Sequence, residues 1–91
     1  MINEAKVRFG RRLELLLETT HVMDFELQQF LKLKSIIQVQ NYLKGRQTPT
    51  FERMAMMRIL FGCRTGEIDG SEPFPLNLDR EAIRKRLEDL K

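Results

Sequence analysis

Nowhere in this chain do valine, isoleucine or threonine alternate with polar residues over the length of a strand. Apolar residues instead recur at spacings of three and four, and most glycines and prolines fall between those stretches. Such spacing puts one side of each stretch against a shared core, and it predicts an all-α fold. With 91 residues, the chain has room for one domain of modest core plus a tail.

The first helix is expected from Asn3, a suitable N-cap, to Glu18, with Ala5, Phe9, Leu13, Leu16 and Leu17 inward. Gly10 sits inside it at a cost of about 1 kcal/mol relative to alanine, a cost usually accepted for close packing. Thr19, Thr20 and His21 read as the connection. A short second helix follows from an Asp24 N-cap through Phe25, Leu27, Phe30 and Leu31, and Lys32-Leu33-Lys34 forms the turn after it. Beyond the third helix, Thr48 can cap and Pro49 suits a first helical turn. The fourth helix is expected over about Thr50 to Phe61, with Phe51, Met54, Ala55, Met57, Leu60 and Phe61 mostly inward and Gly62 closing it. Thr65 to Gly70 allows one further turn.

Pro73 and Pro75 exclude a helix interior, so residues 71–78 read as a linker between a domain over 1–70 and a C-terminal helix over 79–91. That last helix carries Ala82, Ile83, Leu87 and Leu90 on one side and charge elsewhere. Twelve helical residues alone are marginal in water. This helix must therefore fold back on its own domain or pair with a second copy.

The third helix is the segment that carries chemistry. Ser35-Ile36-Ile37-Gln38 has capping-box spacing, the serine accepting from the Gln38 amide while Gln38 reaches back. Gly45 suits the left-handed position past the helix end. Ile36, Val39 and Leu43 form the inward stripe, which leaves Gln38, Gln40, Asn41 and Lys44 facing other ways. Side-chain amides can pair bidentately with an adenine edge in a major groove, and lysines neutralise phosphate. The formal net charge is +3, but Lys32 to Arg64 holds seven cations against Glu52 alone, a local +6. A basic patch centred on one helix and turn is the electrostatic footprint of nucleic-acid binding.

Other chemistries find little support in the residues. There is no apolar run of membrane-spanning length, and the opening Met-Ile-Asn-Glu-Ala-Lys has no signal-peptide block. Cys63 stands alone, which fits a reducing cytoplasm and a core position. His21 has no cysteine or carboxylate cluster at ligand spacing, and the methionines at helical spacing read as core. No Gly-rich phosphate loop or His-centred acid–base group is present. Neither metal, cofactor nor enzymatic activity is expected.

Several stretches together resemble the lambda repressor/Cro-like (XRE-type) helix-turn-helix family. Phe9-Gly10-Arg11-Arg12-Leu13-Glu14-Leu15-Leu16 is similar to its first helix and Glu26-Leu27-Gln28-Gln29-Phe30-Leu31 to its second. Val39 to Glu52, including Gly45-Arg46-Gln47-Thr48-Pro49-Thr50-Phe51-Glu52, resembles the third helix and the Gly-Arg-x-x-Pro-x-Leu-Glu passage after it. Leu60-Phe61-Gly62-Cys63 matches the Leu-Gly-Val before the last short helix. The likeness covers roughly residues 6 to 70 and differs at two places. Gln28 stands where the family favours alanine. Counting forward from Leu31 puts Lys32 where it favours glycine, whereas counting back from Gly45 aligns Val39 with the buried position and lengthens the turn by one residue.

The resemblance implies a five-helix, repressor-like domain followed by the C-terminal helix. It implies a sequence-specific regulator of transcription, a repressor of phage, plasmid or bacterial type, acting as a homodimer on double-stranded DNA in the cytoplasm or nucleoid. On this reading Gln38, Gln40 and Asn41 read bases, while Lys34, Ser35, Lys44 and Arg46 contact phosphates or groove edges. Two alternatives stay open: a protein-interaction module that has kept the scaffold without reading DNA, and an antitoxin whose partner docks on the C-terminal helix.

Overall fold

Side chains and left-handed residues at the helix ends set the boundaries of six helices. In the computed structural model, which describes residues 3–89, these are α1 (Glu4–Thr20), α2 (Asp24–Phe30), α3 (Ile36–Leu43), α4 (Phe51–Phe61), α5 (Thr65–Asp69) and α6 (Arg80–Glu88). The described residues contain no strand. Asn3 caps α1 as expected, its side chain accepting from the Lys6 amide at 3.2 Å. The helix runs two residues past Glu18, and the buried Thr20 hydroxyl donates to the Leu16 carbonyl at 2.6 Å. His21, in the left-handed region at φ 58°, then ends it. Ala5, expected inward, is exposed in the first turn.

Asp24 lies within α2 instead of capping it. Met23 is the N-cap, and its N–H donates to the Glu26 carboxylate at 3.0 Å. Asp24 and Glu26 put negative charge at the positive end of the helix. After α2 the chain makes a Schellman-type stop: Lys32 N–H donates to Gln29 O and Leu33 N–H to Gln28 O. Lys32 occupies the left-handed position at φ 57°, where glycine is usual, and Leu33 is buried beneath it. Lys32→Gly should therefore stabilise the fold by on the order of 0.5–1 kcal/mol, the relief of a strained φ partly offset by a freer unfolded chain. A higher midpoint in urea denaturation would show it.

Thr50 caps α4, accepting from Arg53 N–H at 3.3 Å, so Thr48 and Pro49 precede the helix. Phe51, in the first turn and nine residues before the buried Leu60, projects from the opposite side of the helix. Expected inward, Phe51 is instead 89% exposed. Phe25, also expected inward, stands 53% exposed on α2.

The core centres on α1, whose Phe9, Leu13, Leu16 and Leu17 meet Leu27, Val39, Tyr42, Met57, Leu60 and Ile68. Between α5 and α6 the chain is irregular but anchored. Pro75 is buried, and the Arg12 guanidinium lies 5.5 Å from the centre of the Phe74 ring while donating to the Glu67 and Glu72 carbonyls. Asp79 caps α6, accepting from the Ala82 amide at 3.0 Å, so the helix expected from residue 79 begins at Arg80. That helix folds back on its own chain, with Ile83 and Leu87 buried in the common core. Arg84 pairs with Glu26, and Arg86 donates to the Leu60 carbonyl at 2.9 Å. Leu90, read as part of the same stripe, lies outside the described residues. No helix among the described residues is long and apolar enough to cross a membrane.

Candidate nucleic-acid interface

Three contacts fix α3 against the rest of the chain. Val39 is fully buried, and Tyr42, buried although the periodic stripe omitted it, packs edge-on against Phe9 with ring centroids 5.9 Å apart. Gly10 of α1 lets the end of α3 come close. A Cβ there would lie 2.6 Å from the Tyr42 carbonyl oxygen and 2.7 Å from that of Leu43. Ile36 and Leu43 complete the inward side, half-buried against the core.

The two ends of α3 are also held. The expected Ser35–Gln38 box is displaced by one residue at each hydrogen bond. Ser35 Oγ accepts from the Ile37 amide at 3.1 Å, and Gln38 Oε1 accepts from the Lys34 amide at 3.2 Å. Ser35 is extended (φ −148°, ψ 146°), and this brings the preceding amide within reach of Gln38. At the other end, Gly45 (φ 74°) and Arg46 donate to the Tyr42 and Asn41 carbonyls in a second Schellman stop. Gln28 serves the turn as well, its Nε2 donating weakly to the Leu33 carbonyl at 3.4 Å.

With Val39 and Tyr42 inward, helical geometry turns Ile37, Gln40, Asn41 and Lys44 outward. Gln40 and Lys44 are exposed and Asn41 half-exposed. The Gln40 and Asn41 side chains take no hydrogen-bond partner from the described residues. Gln38 lies to one side of this face, half-buried, with its oxygen already engaged. Ser35 is half-buried, and Lys34 and Arg46 are exposed at the two ends. The face thus unites Gln40, Asn41 and Lys44, flanks them with Lys34 and Arg46, and leaves Gln38 and Ser35 at the cap. Ile37, 59% exposed near the middle of the face, was not singled out from the sequence. Its position between Gln40 and Asn41 on the helical wheel is the signal that could have found it.

The charge is divided between two kinds of cation. Arg12 and Arg86 bond carbonyls, while Arg64 and Arg84 pair with Glu72 and Glu26. Lys32, Lys34, Lys44 and Arg46 are exposed and make no ion pair with any described residue. Four unpaired cations around unpartnered amides can attract a polyanion and bond its exposed edges. Cys63 is half-buried just past the end of α4, and its Sγ donates to the Phe61 carbonyl. Burial, and secondarily the charge of Glu67, raise its pKa, which disfavours a reactive thiolate.

The chain matches no protein-family model, no curated protein and no solved structure.

Proposed function

We propose that this protein is a sequence-specific double-stranded DNA-binding regulator on a helix-turn-helix scaffold, acting as a homodimeric repressor, with α3 laid in the major groove. The observation that carries the reading is the outward pair Gln40 and Asn41, without hydrogen-bond partners among the described residues and set among cations that make no ion pair with them. The left-handed Lys32 and the buried Val39 support this reading, on a count that makes the turn one residue longer than the resemblance implies. Gln40 and Asn41 are then the base readers, and Ile37 is placed to touch a thymine methyl. Lys34, Lys44 and Arg46 take phosphates, and Ser35 and Gln38 hold the start of the reading helix.

The test is a site selected from a random duplex library, with affinities measured for that site and for random duplex at two ionic strengths. Gln40→Ala or Asn41→Ala should cost about 1–3 kcal/mol on the selected site and leave random duplex nearly unaffected. Lys44→Ala or Arg46→Ala should weaken both and flatten the salt slope by about one per cation. Four variants that bind every duplex like the parent would remove the assignment. The exposed Ile37 would also suit a protein-docking face. A pure interaction module would show no salt-dependent retention on random duplex.

A further inference from the structure

An open groove runs between the end of α1, the start of α2 and the inward edge of α3. It measures about 600 Å³, within the range of small-molecule sites. Much of its lining is apolar. Leu17 and Val22 are buried there, Ile36 and Leu43 half-buried, and Met23 and Phe25 stand 57% and 53% exposed. Glu14, Glu18 and Asp24 line the same groove, and none of these carboxylates takes an ion pair or hydrogen bond from a described residue.

This negative charge runs against the trend of the molecule. The chain carries +3 overall, yet apart from the His21 ring no basic side chain lines the groove. Glu14 and Glu18 lie one turn apart on the same face of α1, where like charges repel. Glu18 also stands in the last turn of that helix, at the negative end of its dipole, and no basic residue in the turn offsets it. Asp24 answers the positive start of α2, but its carboxylate still adds to the same lining.

We infer that the groove binds an organic ammonium ion, a protonated or quaternary amine carried on an apolar body. The apolar walls take the body, the three carboxylates take the charge, and Phe25 adds an aromatic ring, whose face attracts cations. An anion is repelled by this lining. A hydrated inorganic cation gains nothing from the walls, and a neutral molecule leaves the carboxylates as they are. The inference goes beyond the proposed function and needs no duplex, although Ile36 and Leu43 belong to the helix assigned to reading.

The test titrates the full chain with 4-phenylbutylammonium, and with 4-phenylbutanol and 4-phenylbutyrate as neutral and anionic counterparts, while backbone amide resonances are followed. The cation should saturate with a dissociation constant of about 1 mM or below and shift chiefly the amides of residues 14–25, Ile36 and Leu43. It should bind roughly tenfold more tightly than the alcohol, and the carboxylate should bind more weakly still. Glu18→Gln and Phe25→Ala, both at exposed positions, should each weaken the cation by about threefold or more at an unchanged fold, and Glu52→Gln on α4 should not. Equal affinity for the three compounds, an unchanged constant for Glu18→Gln, or no saturable shift of the groove amides by about 10 mM overturns the site, whatever the duplex measurements give. Groove amides that shift with protein concentration alone would make a second copy the occupant and overturn it as well. A chain that binds the cation here but no duplex supports the site and removes the DNA reading alone.

Discussion

Deleting Asp79 to Lys91 is expected to unfold the remaining chain or leave it barely stable at room temperature. The deletion uncovers core. Ile83 and Leu87 are 1% and 7% exposed, so their loss leaves an apolar trough over α4. The Arg84–Glu26 pair and the Arg86 hydrogen bond to Leu60 go with them, which leaves Glu26 and a carbonyl without those partners. Truncating one buried isoleucine to alanine typically costs about 2–5 kcal/mol, against a total stability of about 5–15 kcal/mol for a domain. Ile83→Ala alone should therefore lower the melting midpoint by ten degrees or more, at roughly 4–8 °C per kcal/mol for a chain of this size. Lys85→Ala, on the exposed side of the same helix, should change stability by less than about 0.5 kcal/mol. Circular dichroism melts of the three chains separate the outcomes. A truncated chain that melts with the parent would mean α6 contributes nothing to the fold.

The division of labour along α6 shows what the sequence made legible. Its start near Asp79 and its inward Ile83 and Leu87 could be read directly, because three-four spacing is a local property. Which body the stripe packs against is not local. Nothing in residues 79–91 distinguishes folding back from pairing with a second copy; the answer lies in Glu26, His21 and Leu60, far away in the chain. Asn3, Ser35, Gly45 and Gly62 were likewise correctly placed at helix ends.

Where the reading failed, the end or the phase of a helix was responsible. Thr20 stayed helical because the left-handed stop falls at His21, where the His21 and Val22 amides donate to the Glu18 and Leu17 carbonyls. Phe51 turned outward because it lies nine residues before the buried Leu60, half a turn round α4. The candidate interface divided in the same way. The outward set of Gln40, Asn41 and Lys44 follows from periodicity once the inward side is known. The engagement of Gln38 by the Lys34 amide depends on the backbone angles of Ser35, which residue spacing does not supply. Ile37 belongs to neither the inward stripe nor the polar set that the spacing suggests, although an exposed apolar residue among polar ones is itself informative.

Gly10→Ala should be the most damaging single-methyl change in the chain, and it should act on α3. On propensity alone the substitution would stabilise α1 by about 1 kcal/mol. The added methyl would instead fall 2.6 Å and 2.7 Å from the carbonyl oxygens of Tyr42 and Leu43, backbone atoms that cannot rotate aside. The end of α3 must move away from α1, loosening the Phe9–Tyr42 contact and the Gly45 stop, whose own glycine lies against Val7. Overpacking of this kind costs about 1–3 kcal/mol and occasionally more, enough to reverse the propensity gain. The melting midpoint should fall by roughly 5–15 °C for a net loss of about 1–2 kcal/mol. The readout on DNA separates this mechanism from general weakening. Well below its melting point, the variant should lose affinity for the selected site, because Gln40 and Asn41 ride on the displaced helix. It should keep random-duplex binding and the parental salt slope, since Lys34, Lys44 and Arg46 remain. Equal stability to the parent would mean that the two helices can separate at no cost. That would contradict the close approach that aims the reading face.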